Sequence, residues 1–216
     1  MSTLLGELER DALGEAFNIA LGGAAASFAD LVNEEVGITV PEVELLRRQD
    51  LAARLSNVSL PGLSERLCSI TQSFHNVDES LSTETLLLFA EQGGLEIVRR
   101  MLGEVDMPLE QITELEQDAL GEIGNIIINS CMCTLSEIFE SELIGSLPEV
   151  TQSSAAELFQ GSETGDMVLM ARIGLSMSSQ NVTGYVLFLM DMPSLEHVIA
   201  KVRQYFGLDA ALGGQD

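Results

Sequence analysis

Thirty-four acidic side chains against ten basic ones, with Lys201 the sole lysine, give this 216-residue chain a formal charge of −24, which removes the usual electrostatic basis for binding nucleic acid or anionic lipid. Its 46% apolar share is ample for a core. Three cysteines are an odd count, and Cys131 and Cys133 are two apart and diverge on a helix, so neither a disulfide framework nor a metal site is expected and a reducing cytoplasm fits.

The start, MSTLLGELERD, lacks the basic end and apolar core of a signal peptide, and the weakly polar run Ile19 to Ala29 is too short to span a bilayer, so no membrane insertion is expected. Leu4, Leu8, Ala12, Leu13, Ala16, Phe17, Ala20 and Ala24 fall at helical spacing and predict a long amphipathic helix. Gly22, Gly23, Ala24, Ala25 and Ala26 would let it approach a neighbour closely; they are not a phosphate-binding loop, which needs a Lys-Ser/Thr ending. An extended stretch, ITVPEVEL, comes next around Pro41, whose fixed φ suits a strand start or edge. Strands are predicted over Leu67 to Phe74 and Thr85 to Ala90, then a helix from Leu95 to Leu102 reached through Gly93-Gly94. Glu104 to Glu110, with Pro108, reads as a junction. The same order then recurs. A helix carries Leu115, Ala119, Leu120, Ile123, Ile126 and Ile127, and SLPEVTQ surrounds Pro148. Strands are predicted again over Met167 to Met177 and Tyr185 to Met190, then a helix from Leu195 to Phe206 after Pro193-Ser194. Leu208 to Asp216 reads as a loose tail.

Within this repeated order lies a repeated motif. Asp11, Glu15, Asn18 and Pro41 have three, two and twenty-two residues between them, and so do Asp118, Glu122, Asn125 and Pro148. One constant offset superposes all four, and identity between the copies concentrates at DALGE, at Asn-Ile and at PEV. On a helix each acid, Glu and Asn are four and three apart and share one stripe, pointing into solvent opposite the core-facing residues.

Such a stripe is poor equipment for covalent catalysis, because it holds no histidine, cysteine or serine nucleophile. It is good equipment for holding water. A carboxamide both donates and accepts, so an asparagine can orient a water for attack, and a glutamate one turn away can anchor a cation beside a reacting phosphoryl group. Without a metal cluster or arginine clamp, an activated phosphoanhydride or acyl phosphate is a better substrate than a stable ester. The bland alternative is that these are ordinary exposed helix residues; repetition, with Asn disfavoured in helix interiors, argues against it. His75 and His197 have no paired nucleophile motif and read as structural or surface residues, and Met167, Met170 and Met190 as core filling.

The pattern of Asp or Ser, Glu, Asn and Pro, present twice at these spacings over nearly the whole chain, resembles the CheC/CheX/FliY phosphatases of chemotaxis, most nearly the CheC layout. The resemblance implies an α+β, CheC-like fold. It would be one domain of two repeats, about residues 4–105 and 109–207, with pseudo-twofold symmetry and two long motif helices packed on a sheet formed by both halves. It also implies hydrolysis of the aspartyl phosphate of a CheY-like response regulator. Asn18 and Asn125 would orient the attacking water and Glu15 and Glu122 would pair with the regulator's lysine. Asp11 and Asp118 would support docking or the helix, with Pro41 and Pro148 structural. No cofactor of its own is implied, the Mg²⁺ belonging to the regulator. CheD is a possible further partner, although no residue here establishes that contact. The short tail argues against a FliY-like switch role, and the second motif against CheX. The rival reading is a non-enzymatic adaptor that binds a receiver domain or regulates CheD, since FliM has a related middle domain without the motif.

Overall fold

In the computed structural model of the protein, the described residues are 5–57, 66–102, 113–159, 167–177 and 182–208. Side-chain alternation decides its centre. Along β4 (Ser82–Ala90) and β8 (Val182–Asp191), Leu87, Phe89, Val186, Phe188 and Met190 face one core, while Leu86, Leu88, Tyr185, Leu187 and Leu189 face another. Strands buried on both faces need a layer above and a layer below. The upper layer is α1 (Glu7–Val32), α3 (Glu91–Leu102), α4 (Glu114–Ile138) and α6 (Met192–Tyr205); the lower holds the short α2 (Leu51–Asn57) and α5 (Ala155–Leu158).

The remaining strands are β1 (Val36–Ile38), β2 (Glu42–Arg47), β3 (Leu67–Asn76), β5 (Leu143–Gly145), β6 (Glu149–Ser153) and β7 (Met167–Met177). The antiparallel sheet runs β1-β7-β8-β4-β3-β5, with β2 also on β7 and β6 also on β3. This order is palindromic about the central β4–β8 pair. Each half lends its first two strands to the other half: β1 and β2 lie on β7, and β5 and β6 lie on β3. The fold is α+β as expected, with two long motif helices over a sheet to which both halves contribute.

Each long helix is set by its ends and its small residues. Thr113 and Glu116 cap α4 reciprocally, Thr113 N–H donating to the Glu116 carboxylate at 2.7 Å and Glu116 N–H to Thr113 Oγ1 at 3.3 Å. At the start of α1, Gly6 N–H donates to Glu9 at 2.8 Å. Beyond each helix a left-handed residue turns the chain, Asn33 at φ 52° and Glu140 at φ 49°. The small-residue run of α1 does meet a neighbour: a Cβ on Gly23 would lie 3.8 Å from Ser130 Oγ of α4. Facing the sheet, the halves invert large and small. Phe17 of α1 is fully buried and stacks on Phe188, ring centroids 4.8 Å apart, whereas the α4 counterpart is Gly124, pressed against Ile70.

Two connectors read from the sequence are helix instead. Gly93 and Gly94 lie inside α3, where a Cβ on Gly94 would stand 3.3 Å from Cys68 Cβ, so the glycine admits close packing rather than a break. Pro193 and Ser194 form the first turn of α6, where proline's missing N–H is harmless and Asp191 caps by accepting from Ser194 N–H at 2.9 Å. The expected junction over Glu104–Glu110 and the tail beyond Leu208 lie outside the described residues. Among the described residues no helix is long and apolar enough to cross a membrane.

Candidate functional site

Asp11 and Glu15 are exposed and Asn18 half-buried on α1; Asp118 and Glu122 are exposed and Asn125 half-buried on α4. Helical spacing thus places each trio on one stripe as expected, with a refinement. The asparagine does not stand fully in solvent but where the helix meets the Pro segment. Pro41 immediately precedes β2 and Pro148 immediately precedes β6, both half-buried.

Matching hydrogen bonds hold these segments against the sheet. Thr39 Oγ1 accepts from Gly174 N–H at 2.8 Å and Thr39 N–H donates to Gly174 O at 3.0 Å. In the other half Ser146 Oγ accepts from Ser73 N–H at 3.0 Å and Ser146 N–H donates to Ser73 O at 2.8 Å. A hydroxyl two residues before each proline therefore ties the proline segment to the sheet, a role the sequence pattern alone did not single out.

At the first trio these elements enclose a cleft of about 560 Å³, lined by Arg10, Asp11, Gly14, Glu15, Asn18 and the segment from Val40 to Glu44. All four motif residues of the first half share it. Its acids divide by partner. Glu42 pairs with Arg172, itself only 7% exposed, and Glu44 with Arg54 of α2. The Arg54 hydrogen bond holds the Glu44 carboxyl below its ordinary value, opposed by partial burial. Among the described residues Asp11 and Glu15 have no ion-pair partner, and neither do Asp118 and Glu122. Unpaired carboxylates on a rim suit an incoming cation and repel a free phosphate anion.

Exposed apolar side chains ring both trios at equivalent places. Leu8, Ile19 and Val40 are 50%, 38% and 83% exposed, and Leu115, Ile126 and Leu147, each 107 positions later, are 60%, 38% and 88% exposed.

The asparagines differ in their surroundings. Asn125 Oδ1 accepts from Asn129 Nδ2 at 2.7 Å and from Gln72 Nε2 at 3.3 Å, and Gln72 Nε2 also donates to the Ser146 carbonyl at 3.0 Å. Gln72 is 2% exposed, and its Oε1 has no partner among the described residues, a loss of roughly 1–3 kcal/mol by usual magnitudes. Among the described residues no hydrogen bond reaches the Asn18 carboxamide. Gln72 and Asn129 went unnoticed in the sequence. Comparing the halves could have flagged Asn129, which stands 107 positions after Gly22.

Two of the three thiols are buried away from chemistry. Burial pushes Cys68 and Cys131 up to about 12, far from a thiolate at neutral pH. His75 is exposed, and His197 Nδ1 lies 3.4 Å from Ser80 Oγ; neither belongs to a trio. Met170 and Met190 are buried in the two cores, as expected, while Met167 is only partly buried. Among the described residues no three His, Cys, Asp or Glu side chains are grouped to hold a metal ion.

No family model matches the chain. It is 23% identical over 199 residues to the CheY-P phosphatase CheC of Bacillus subtilis (strain 168), covering 88% of this chain and 91% of that protein. It is 27% identical over 147 residues to the flagellar motor switch phosphatase FliY of the same organism, covering 68% of this chain but 36% of that protein. Among solved structures, Thermotoga maritima FliY superposes with a TM-score of 0.71 at 19% identity, covering 94% of this chain and 98% of that one, a likeness of fold.

Proposed function

The chain belongs to the CheC/CheX/FliY chemotaxis phosphatase family, and on that premise we propose that it hydrolyses the aspartyl phosphate of a CheY-like response regulator at the two trios. The observation that carries this reading is the first cleft, where Asp11, Glu15, Asn18 and Pro41 meet although twenty-two residues separate the last two.

The regulator supplies the acyl phosphate, its Mg²⁺ and a lysine; this chain supplies orientation. Glu15 or Glu122, lacking a cationic partner of its own, pairs with the regulator's lysine and fixes the helix over the phosphoryl group. The Asn18 or Asn125 carboxamide holds a water in line with the bond to be broken. Water oxygen bonds to phosphorus, the phosphorus–oxygen bond to the aspartate breaks, and the carboxylate leaves with the bonding pair. Both water protons end on the released dihydrogen phosphate. Asp11 and Asp118 extend the acidic stripe towards the regulator, and the apolar rings formed by Leu8, Ile19 and Val40 and by Leu115, Ile126 and Leu147 support docking. A carboxylate-lined site needs a substrate held by protein contacts, which favours a phosphorylated protein over free phosphate esters.

A panel of receiver domains phosphorylated with acetyl phosphate tests this. At least one should lose phosphate faster with the wild-type chain present, and Asn18→Ala with Asn125→Ala should return it to its autohydrolysis rate with the fold intact by circular dichroism. A double variant as fast as wild type means the assigned chemistry is wrong; a receiver bound without accelerated phosphate loss by any form supports the adaptor instead.

A further inference from the structure

The two trios match in sequence, yet their asparagines are held differently, a contrast whose kinetic meaning rests on the phosphatase reading. The orientation of the second site is fixed by a chain of donors and acceptors. The Ser146 carbonyl can only accept, so the atom of Gln72 that meets it at 3.0 Å is the NH₂ group. That same nitrogen meets Asn125 at 3.3 Å, so the Asn125 atom there is its oxygen. Asn129 meets this oxygen at 2.7 Å and so presents its own NH₂. Both lone pairs of Asn125 Oδ1 are occupied.

The first half has no such clamp among the described residues. Asn129 corresponds to Gly22 by the 107-residue offset. For Gln72 the strand registers give the correspondence: Val43 pairs with Ala171 and Val150 with Ile70, so Ile70 and Ala171 are equivalent, and Gln72 therefore matches Ile173. Neither glycine nor isoleucine has a side-chain donor. The close similarity of the Thr39–Gly174 and Ser146–Ser73 bonds shows that the two proline segments are held to the sheet alike.

A carboxamide that orients an attacking water accepts a hydrogen bond from it, which requires a free lone pair on oxygen. Asn18 offers one. Asn125 offers one only after a bond to Gln72 or Asn129 breaks. We propose that Gln72 and Asn129 are positioning residues that clamp Asn125 in a resting orientation, making the first site the faster of the two and the second a latent site.

The receiver identified by the panel, phosphorylated with acetyl phosphate and supplied at saturation, gives the test. Asn18→Ala should lower kcat about tenfold, while Asn125→Ala should change it by less than about twofold. Adding Gln72→Ile and Asn129→Ala to the Asn18→Ala chain should raise kcat roughly tenfold with KM unchanged, the rate equivalent of one net hydrogen bond. A residue with only a structural role would not raise kcat when removed. Because Gln72 is buried, the single Asn129→Ala change at an exposed position serves as the folding-safe variant, with an expected rise of about threefold in the same background. Equal losses from Asn18→Ala and Asn125→Ala, or a kcat unchanged or lowered by Asn129→Ala in the Asn18→Ala chain, overturns the clamp. Wild-type rates in the Asn18→Ala/Asn125→Ala double variant instead overturn the phosphatase reading itself.

Discussion

Replacing Gly124 with alanine sets two effects of opposite sign against each other. In an open helix interior the change is stabilising by ~1 kcal/mol, because glycine is the poorer helix former. Gly124, however, lies where α4 touches β3: an added Cβ would stand 2.4 Å from Ile70 Cγ2, 2.8 Å from its Cβ and 3.1 Å from its Cγ1. The 2.8 Å contact is to Ile70 Cβ, which rotation about the Cα–Cβ bond does not move, so a change of rotamer cannot relieve it. Overpacking of this kind costs about 1–3 kcal/mol, and it outweighs the propensity gain. We expect a net loss of up to ~2 kcal/mol, a fall in Tm of up to about 4–8 °C for a chain this size, read by thermal and urea unfolding. Gly22→Ala is the internal control, since nothing lies within 4 Å of its Cβ position; there the gain of ~1 kcal/mol should survive. Ile70→Ala should cost less in the Gly124→Ala background than alone, with a coupling of ~1 kcal/mol, because the new methyl fills part of the cavity. If Gly124→Ala stabilises as Gly22→Ala does, the close approach of α4 to the sheet is wrong.

Phe17→Ala should cost about 3–5 kcal/mol in urea unfolding, since the ring is fully buried on Phe188 and leaves a large cavity. Iodoacetamide at pH 8 should label Cys133, which is exposed, while sparing Cys68 and Cys131, whose thiols burial pushes up to about 12; intact-mass spectrometry of the native protein counts the adducts. Glu44 has its carboxyl lowered by Arg54, so its stabilisation is present above the ordinary value of 4.5 and is lost as pH falls through the lowered one. Glu44→Gln should therefore reduce stability by less than ~1 kcal/mol at pH 7, given the part-exposed pair, and in a melting series the difference should shrink as pH falls below 4.5 and vanish beneath the lowered value. Val40→Asp with Leu147→Asp should raise KM for the phosphorylated receiver about tenfold with kcat held, because both side chains are highly exposed beside the trios; an unchanged KM would show that the apolar rings do not dock it.

The elements that carry the motif were legible because their signals are long and local. The apolar spacing before Asp11 and Asp118 marks α1 and α4, and the strand over Met167–Met177 has the bounds the sequence suggests. Misreadings arose where a local signal had a tertiary use. Gly93-Gly94 looks like a break until Cys68 is seen against Gly94, and Pro193 looks like a boundary although it begins the helix. Strand partners were illegible, since nothing in the sequence of β2 specifies β7 rather than a neighbour in its own half. The same distance hid Gln72. Loops of unequal length shift the offset between halves from 107 on the helices to 101 on β3 and β7, so its counterpart Ile173 emerges only from the register.

The exchange of edge strands between the halves bears on how such a molecule can change over time. Among the described residues, the β3–β4 and β7–β8 pairings lie within a half and the other pairings of the sheet cross from one half to the other. On the proposed reading, a half whose asparagine is replaced by an inert residue would lose its chemistry but not its place, because deleting the half would strip the edge strands from its sibling's sheet and expose β3 or β7. Site and architecture thus place separate demands on the sequence: a change in either motif leaves the strand exchange intact, whereas loss of the segment bearing it would remove scaffold from the other half.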